Sequence, residues 1–440
     1  MKVPIIWLVI LSAMVYSVPT SAQSETVLHS FQNGSGDGAQ PWGTPLRDAS
    51  GNLYGTTVFG GTLGWGAVFE LSPPSSDGAR SETILYSFAG GSDGSNPYAG
   101  LIQDGQGNLY GTTSYGGGTP QNYGTVFELA PPNSLGGSWT ESVIYRFQGN
   151  PDGSVPVGGL VMDSAGNLYG TTYYGGSCGN GVIYELSPPA TQGAAWTEAV
   201  LYSFKGCHGG YDSAASESTL IFGKDGALYA TAGGGTHGWG TVFRLRPPSA
   251  GQNSWIEEVL YNFAGKYDGG GPYHSGVVFD ERGNLYGTAF GGGLTGCPEG
   301  PGCGVVFQLH APSVSTGTWK ETVIHAFTGG TDGGNPFGGV TFDEAGNLFG
   351  TSRYAASTRC NVGFAHGCGA LFKLSPSGNN WIFVTLHEFT SGSDGAVPTS
   401  NLVLDGSGII YGVTAAGGAG GGGTCATFGP GCGTIFSITP

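Results

Sequence analysis

Four short apolar runs, each bounded by turn residues, recur down the chain. One unit reads GLVMD (159–163), NLYGTTY (167–173), GVIYELS (181–187) and WTEAVLYSF (196–204), separated by DSAGN, YGGSCGN and PPATQGAA and followed by KGCHGGYDS. Short runs rich in β-branched and aromatic residues and flanked by Gly, Pro, Asn and Asp predict strands joined by tight turns. No stretch keeps a helical period over a helical length.

The second run is written seven times: GNLYGTT at 51–57, 107–113 and 166–172, then GALYATA (226–232), GNLYGTA (283–289), GNLFGTS (346–352) and GIIYGVT (408–414). Its aromatic positions, Tyr54, Tyr110, Tyr169, Tyr229, Tyr286, Phe349 and Tyr411, are spaced by 56, 59, 60, 57, 63 and 62 residues. A fixed period of four-strand units predicts an all-β, seven-bladed β-propeller, because radial closure protects strand edges that an open stack exposes. The chain ends predict how it closes. ETVLHSF (25–31) copies the fourth strand and GTIFSIT (433–439) copies the third, so the N-terminal strand is expected to complete the last blade. Leu46, Ile102, Val161, Ile221, Val278, Thr341 and Val403 hold equivalent places on the inner strands and predict a mostly apolar channel.

Composition then narrows the setting. The 87 Gly and 25 Pro suit a loop-rich β scaffold, and a net charge of −16 repels phosphate backbones and anionic lipid, which argues against nucleic acid as a partner. The first residues carry one Lys, an apolar run from Val3 to about Val18 and the small residues Thr20, Ser21 and Ala22. This reads as a signal peptide, 1–22, leaving 25–440 as a single propeller domain without a membrane span, exported to the periplasm or cell exterior and monomeric. Eight Cys fit that oxidising setting. Cys297 with Cys303, Cys360 with Cys368 and Cys425 with Cys432 each share one Gly-rich insert, and Cys178 with Cys207 joins two successive loops. Their spacers do not suit zinc.

Four linked motifs recur together from about residue 25 onward: LYGTT before a Gly-rich loop, VFEL before PP, a W-T-E-x-V-L-Y-x-F strand and a GG-x-DG-x-x-P loop. This combination resembles the bacterial tandem repeats called GloVer, of the choice-of-anchor type. The resemblance implies an exported propeller-like repeat protein and brings no catalytic residues with it.

Candidate chemistry divides into what repeats and what does not. Asp48, Asp104, Asp163, Asp280, Asp343 and Asp405, each followed by Gly-Asn or a near equivalent, read as hairpin formers. Asp37, Asp93, Asp152, Asp212, Asp268, Asp332 and Asp394 read as turn formers in the loop entering each blade, with calcium as the lesser alternative and otherwise no cofactor. The G-x-S-x-G around Ser92 lacks the strand-to-helix context of a nucleophile elbow. Phe59, Tyr115, Tyr174 and Tyr354, with Phe290 displaced by one, follow the second strand at a fixed distance and would circle one mouth of the channel, either packing between blades or offering a stacking platform. Units four and six depart from the pattern with His208, Glu217 and His237, and with Arg353, Arg359 and His366. Phe59, Tyr115, Tyr174, Phe290, Tyr354, His208, His237 and Arg353 are therefore the expected contact residues. The leading expectation is a non-catalytic protein that binds a glycan or an extracellular protein through this loop-rich face. A glycan hydrolase or lyase with its site on the same face, and a structural envelope protein, are the alternatives.

Overall fold

A computed structural model describes residues 24–440 except 76–79, 119–120, 135, 192, 207–212, 215, 273, 298–300, 315–316, 355–359, 363–364, 420–424 and 426–430. Seven antiparallel sheets form the blades of a propeller. Blade 3 shows the pattern: Val161–Met162, Leu168–Thr171, Val182–Ser187 and Thr197–Ser203 follow one another outward, each hydrogen-bonded to the next. Blade 7 closes the ring as the sequence predicts. Ser24–Ser30 lies antiparallel to Thr434–Thr439, with Val27 opposite Phe436, so the two ends of the chain share one sheet.

The repeated LYGTT now has a physical reason at each position. The Leu is buried between blades, as Leu53, Leu109 and Leu168 show. The Gly makes room for an aromatic ring of the third strand, since a Cβ on Gly55 would stand 2.5 Å from Phe69 Cζ. The first Thr ties one blade to the next: Thr56 Oγ1 donates to Ala99 O at 2.7 Å, Thr231 Oγ1 to Pro272 O at 2.6 Å and Thr288 Oγ1 to Gly338 O at 2.9 Å. Across the closing seam the tie runs from the loop of blade 7, with Thr399 Oγ1 donating to Pro41 O at 3.5 Å.

Apolar clusters fill the seams between blades and are the core of the molecule. In each, a fully buried Phe that ends the fourth strand, such as Phe88 or Phe147, meets an aromatic ring of the following blade edge to face at 5.1–5.7 Å. The residues expected to line an apolar channel pack into this system instead. Leu46, Ile102, Val161, Ile221, Val278 and Val403 are partly buried against the seam clusters, and Thr341 Oγ1 donates to Leu402 O at 2.8 Å. Around the axis the innermost loops touch each other so closely that a Cβ on Gly43 would collide with the backbone of Ala99 and Gly100.

The two Asp series are turn formers among the described residues, with Asp212 lying outside them. Asp163 accepts from the amides of Ala165 and Asn167, the Asn167 side chain and the Tyr169 hydroxyl. Asp93 accepts from the Ala89 amide at 2.7 Å and the Tyr86 hydroxyl at 3.1 Å. Cys297–Cys303, Cys360–Cys368 and Cys425–Cys432 are disulfides within their inserts. The expected pairing of Cys178 falls on Cys207, which lies outside the described residues. Among the described residues no helix is long and apolar enough to cross a membrane.

Candidate functional site at the propeller mouth

The loop that enters each blade delivers one residue to the central axis, shortly after a Pro in every blade except the fourth, where Ser216 stands in its place. That residue is Trp42 in blade 1, Tyr98 in blade 2, Val157 in blade 3, Glu217 in blade 4, Phe337 in blade 6 and Thr399 in blade 7. In blade 5 the segment from Asp268 to Val278 carries one residue more than its counterparts and presents His274. These side chains line a cavity of about 470 Å³ on the face built from the loops after the second and fourth strands. Gly43, Gly100 and Gly159 contribute backbone to the same wall.

Ring contacts run most of the way round this mouth. Trp42 meets Tyr98 edge to face at 5.5 Å and reaches across the axis to Phe337 at 5.7 Å. Phe337 stacks on His274 at 4.0 Å. The guanidinium of Arg353 lies 4.3 Å from the Phe337 ring centre, 5.1 Å from Trp42 and 5.3 Å from Tyr354, so the cation sits among three aromatic faces. His274 Nδ1 pairs with Glu217 Oε2 at 2.5 Å. Tyr98 completes the circuit: burial, and then the nearby Tyr115 and Glu217, push its hydroxyl above the ordinary phenol range.

Hydrogen-bonding groups converge from the remaining blades. The Ser400 hydroxyl is buried in the wall without a protein partner, and Asn401 Oδ1 accepts from the Gly339 amide at 2.5 Å. Glu217 is the sole carboxylate among the described lining residues. Such a site offers flat apolar surfaces, fixed hydroxyl and amide groups and one imidazole–carboxylate pair, which is the equipment for a neutral, polyhydroxylated ligand.

The expected contact residues divide. Tyr115 and Tyr174 line the cavity and are about half exposed, at 46 % and 53 %. Arg353 lines it as well, but is 6 % exposed and acts as part of the wall. Tyr354 and Phe290 stand edge to face at 6.4 Å behind that wall, partly buried. Phe59 packs into the closing-seam cluster and lies away from the cavity. His237 is exposed on a turn, and His208 falls outside the described residues. Trp42, Tyr98, His274, Phe337 and Ser400 were not among the expected residues. Two signals pointed to them: the variable position after the loop Pro, and the extra residue in unit five.

The opposite face also holds a groove, of about 770 Å³, between blades 5 and 6, lined by Asp280, Asp343 and Trp381 among others. Those residues belong to the repeated hairpins and seam packing. The mouth instead adds to such shared positions a set that differs from blade to blade, Trp42, Tyr98, Val157, Glu217, Phe337 and Thr399.

Models of the Gloeobacter/Verrucomicrobia repeat match residues 11–229 and 197–426. No curated protein matches the chain. Among solved structures, similar ones include polysaccharide lyase Uly1 (11 % identity, 92 % of this chain and 91 % of that one, TM-score 0.45), a glucose dehydrogenase (10 %, 95 % and 99 %, 0.39) and Trypanosoma rangeli sialidase (12 %, 83 % and 56 %, 0.42). At that level of likeness none of their activities carries over to this chain.

Proposed function

The chain belongs to the Gloeobacter/Verrucomicrobia repeat family, and from that premise we propose that it is an exported propeller that binds a neutral glycan at the mouth of its loop-rich face. The observation that carries this reading is the cavity itself, where Trp42, Tyr98, Tyr115 and Tyr174 present ring faces and Ser400 and Glu217 present polar groups. Sugar rings stack their C–H faces on aromatic surfaces while their hydroxyls take up buried donors and acceptors, and neutrality suits a chain of net charge −16. Export follows from the N-terminal segment, with cleavage near Ala22 and a monomeric 25–440 domain. N-terminal sequencing of secreted protein and light scattering check both points.

The test is a glycan array probed with the mature protein and its Trp42→Ala and Tyr115→Ala/Tyr174→Ala forms. Binding lost in these variants, with melting unchanged, supports the reading. Equal binding in all three moves the site elsewhere. A second reading rests on the Glu217–His274 pair: an imidazole held by a carboxylate is a general acid–base unit, which favours glycan cleavage at the same cavity. Release of new reducing or unsaturated ends by the wild type, abolished in Glu217→Gln, separates cleavage from binding.

A further inference from the structure

The seam that closes the ring gathers a histidine and two carboxylates more tightly than any other group of that kind among the described residues. At three of the described seams, the loop Asp of one blade meets a Tyr from the preceding fourth strand and a Glu from the following one. Tyr86, Asp93 and Glu141 form one such trio and Tyr261, Asp268 and Glu321 another. At the closing seam the Tyr is replaced by His29, carried on the N-terminal strand Ser24–Ser30. His29 Nε2 lies 3.2 Å from Asp37 Oδ1 and 3.8 Å from Glu82 Oε2. One donor atom from each of the three residues lies within 4.8 Å of the others, and among the described residues this is the single trio of that kind.

We propose that His29, Asp37 and Glu82 form a binding site for a divalent first-row metal, of which zinc is the fitting case, and that the metal locks the N-terminal strand into the ring. One imidazole and two carboxylates are a donor set that zinc accepts, with the fourth position left for water. The two carboxylates are already placed. Asp37 is oriented by the amides of Gln32 (2.8 Å) and Gly38 (2.7 Å), the second-layer support that metal ligands normally have. The Glu82 side chain is nine-tenths buried, and its Oε1 has no donor in the protein. Glu141, Glu198 and Glu321 also leave an oxygen without a donor. Their seams hold a phenol in place of the imidazole, and a neutral phenol is a poor zinc ligand. The His29 ring is fixed edge to face on Phe31 at 4.7 Å, so its nitrogen needs little reorganisation.

The competing account is that His29 merely replaces Tyr as a donor to Asp37. Two other seams separate the accounts, because they also carry His. His325 pairs with Asp332, but Phe383 stacks on it at 3.9 Å where a Glu would stand, so a third ligand is missing. His387 pairs with Asp394 at 3.4 Å, and Glu25 lies close enough to feel both, though the three do not gather as tightly.

The experiment uses the mature exported protein, stripped with EDTA, dialysed and titrated with zinc chloride by calorimetry and thermal melting. Wild type and His325→Tyr are expected to bind about one zinc and to melt at a temperature that climbs with the logarithm of zinc concentration. His29→Tyr, which installs the residue found at the sister seams, and Glu82→Gln, which keeps the side-chain shape, are expected to lose both responses. Zinc binding that persists in His29→Tyr and Glu82→Gln, or no binding by the wild type at millimolar zinc, overturns the proposal. Failure of glycan binding at the mouth would leave this result untouched.

Discussion

The two faces of the propeller use the same scaffold in opposite ways. On the hairpin face, blade after blade repeats one device: the Asp, Asn and Tyr of D-x-x-G-N-L-Y bond one another, as Asp104, Asn108 and Tyr110 do in blade 2 and Asp280, Asn284 and Tyr286 do in blade 5. On the mouth face the equivalent positions hold Trp42, Tyr98, Val157, Glu217, Phe337 and Thr399, no two alike. Repetition marks what every blade needs in order to fold. Variation on a rigid frame marks where a ligand has something to distinguish.

The largest effect is expected on the repeated side. Asp163→Ala removes the acceptor of four bonds, from Ala165, Asn167 twice and Tyr169, and should cost about 3 kcal/mol, given that bonds to a charged acceptor are worth more than neutral ones and are not additive. Urea unfolding checks this, and glycan binding at the mouth should be unchanged. A variant that loses binding while keeping its stability would break the division between the faces.

That repeated side was also the legible side. Strand type, blade count and closure followed from LYGTT and its companions, because each residue answers to neighbours within one unit or the next. The mouth was legible only in part. Glu217, Arg353, Tyr115 and Tyr174 stood out as departures or as a periodic aromatic series. Trp42 and Phe337 did not, because their contact joins blades 1 and 6 and exists only once the ring has closed. His274 was hidden by the single added residue that carries it to the axis. Phe59 was misleading, since the same spacing that brings Tyr115 to the cavity sends Phe59 into the seam packing of the closing blade.

Next in size is a test of whether the mouth face carries any stability of its own. Cys297 and Cys303 close an insert whose Cys303 carbonyl accepts the Asn335 amide of the next blade at 2.7 Å. Replacing both by Ala should cost about 2.5 kcal/mol in the entropic account of so short a loop. If unfolding shows no loss, the inserts are decoration on a frame held entirely by the opposite face.

Binding energetics come third. Trp42→Ala removes a ring that touches Tyr98 and Phe337 and lies beneath Arg353, and should weaken glycan affinity by about 2 kcal/mol, roughly thirtyfold. Calorimetry with the best array ligand measures this. An equal loss from Asp163→Ala would erase the contrast.

The smallest expected effect is a response to pH in which the hairpins and the seams pull in opposite directions. Burial first, and then the nearby loop Asp, push Glu141, Glu198 and Glu321 up to about 7 from an ordinary value near 4.5. Folding therefore holds their protons more tightly than the unfolded chain does, so their contribution is fully present below about pH 4.5 and is lost as pH rises through about 7. At the hairpins the sign reverses. Burial would raise Asp163 and Asp405, but the bonds each accepts, including those from Asn167 and Ala165 to Asp163, outweigh it and hold both below the usual carboxylate range. Their contribution is present above the unfolded value near 3.8 and is lost as pH falls below it. Melting temperature should thus peak in mildly acidic buffer and decline by a few degrees toward pH 8, a modest change because these carboxyls keep partial contact with water that screens them. Replacing Glu198 with Gln should make the alkaline limb shallower and leave the acid limb in place, whereas Asp163→Ala should weaken the acid limb alone. If both variants flattened the same limb, the hairpins and seams would not be titrating independently, and the separation between repeated frame and variable mouth would have to be redrawn around the seams.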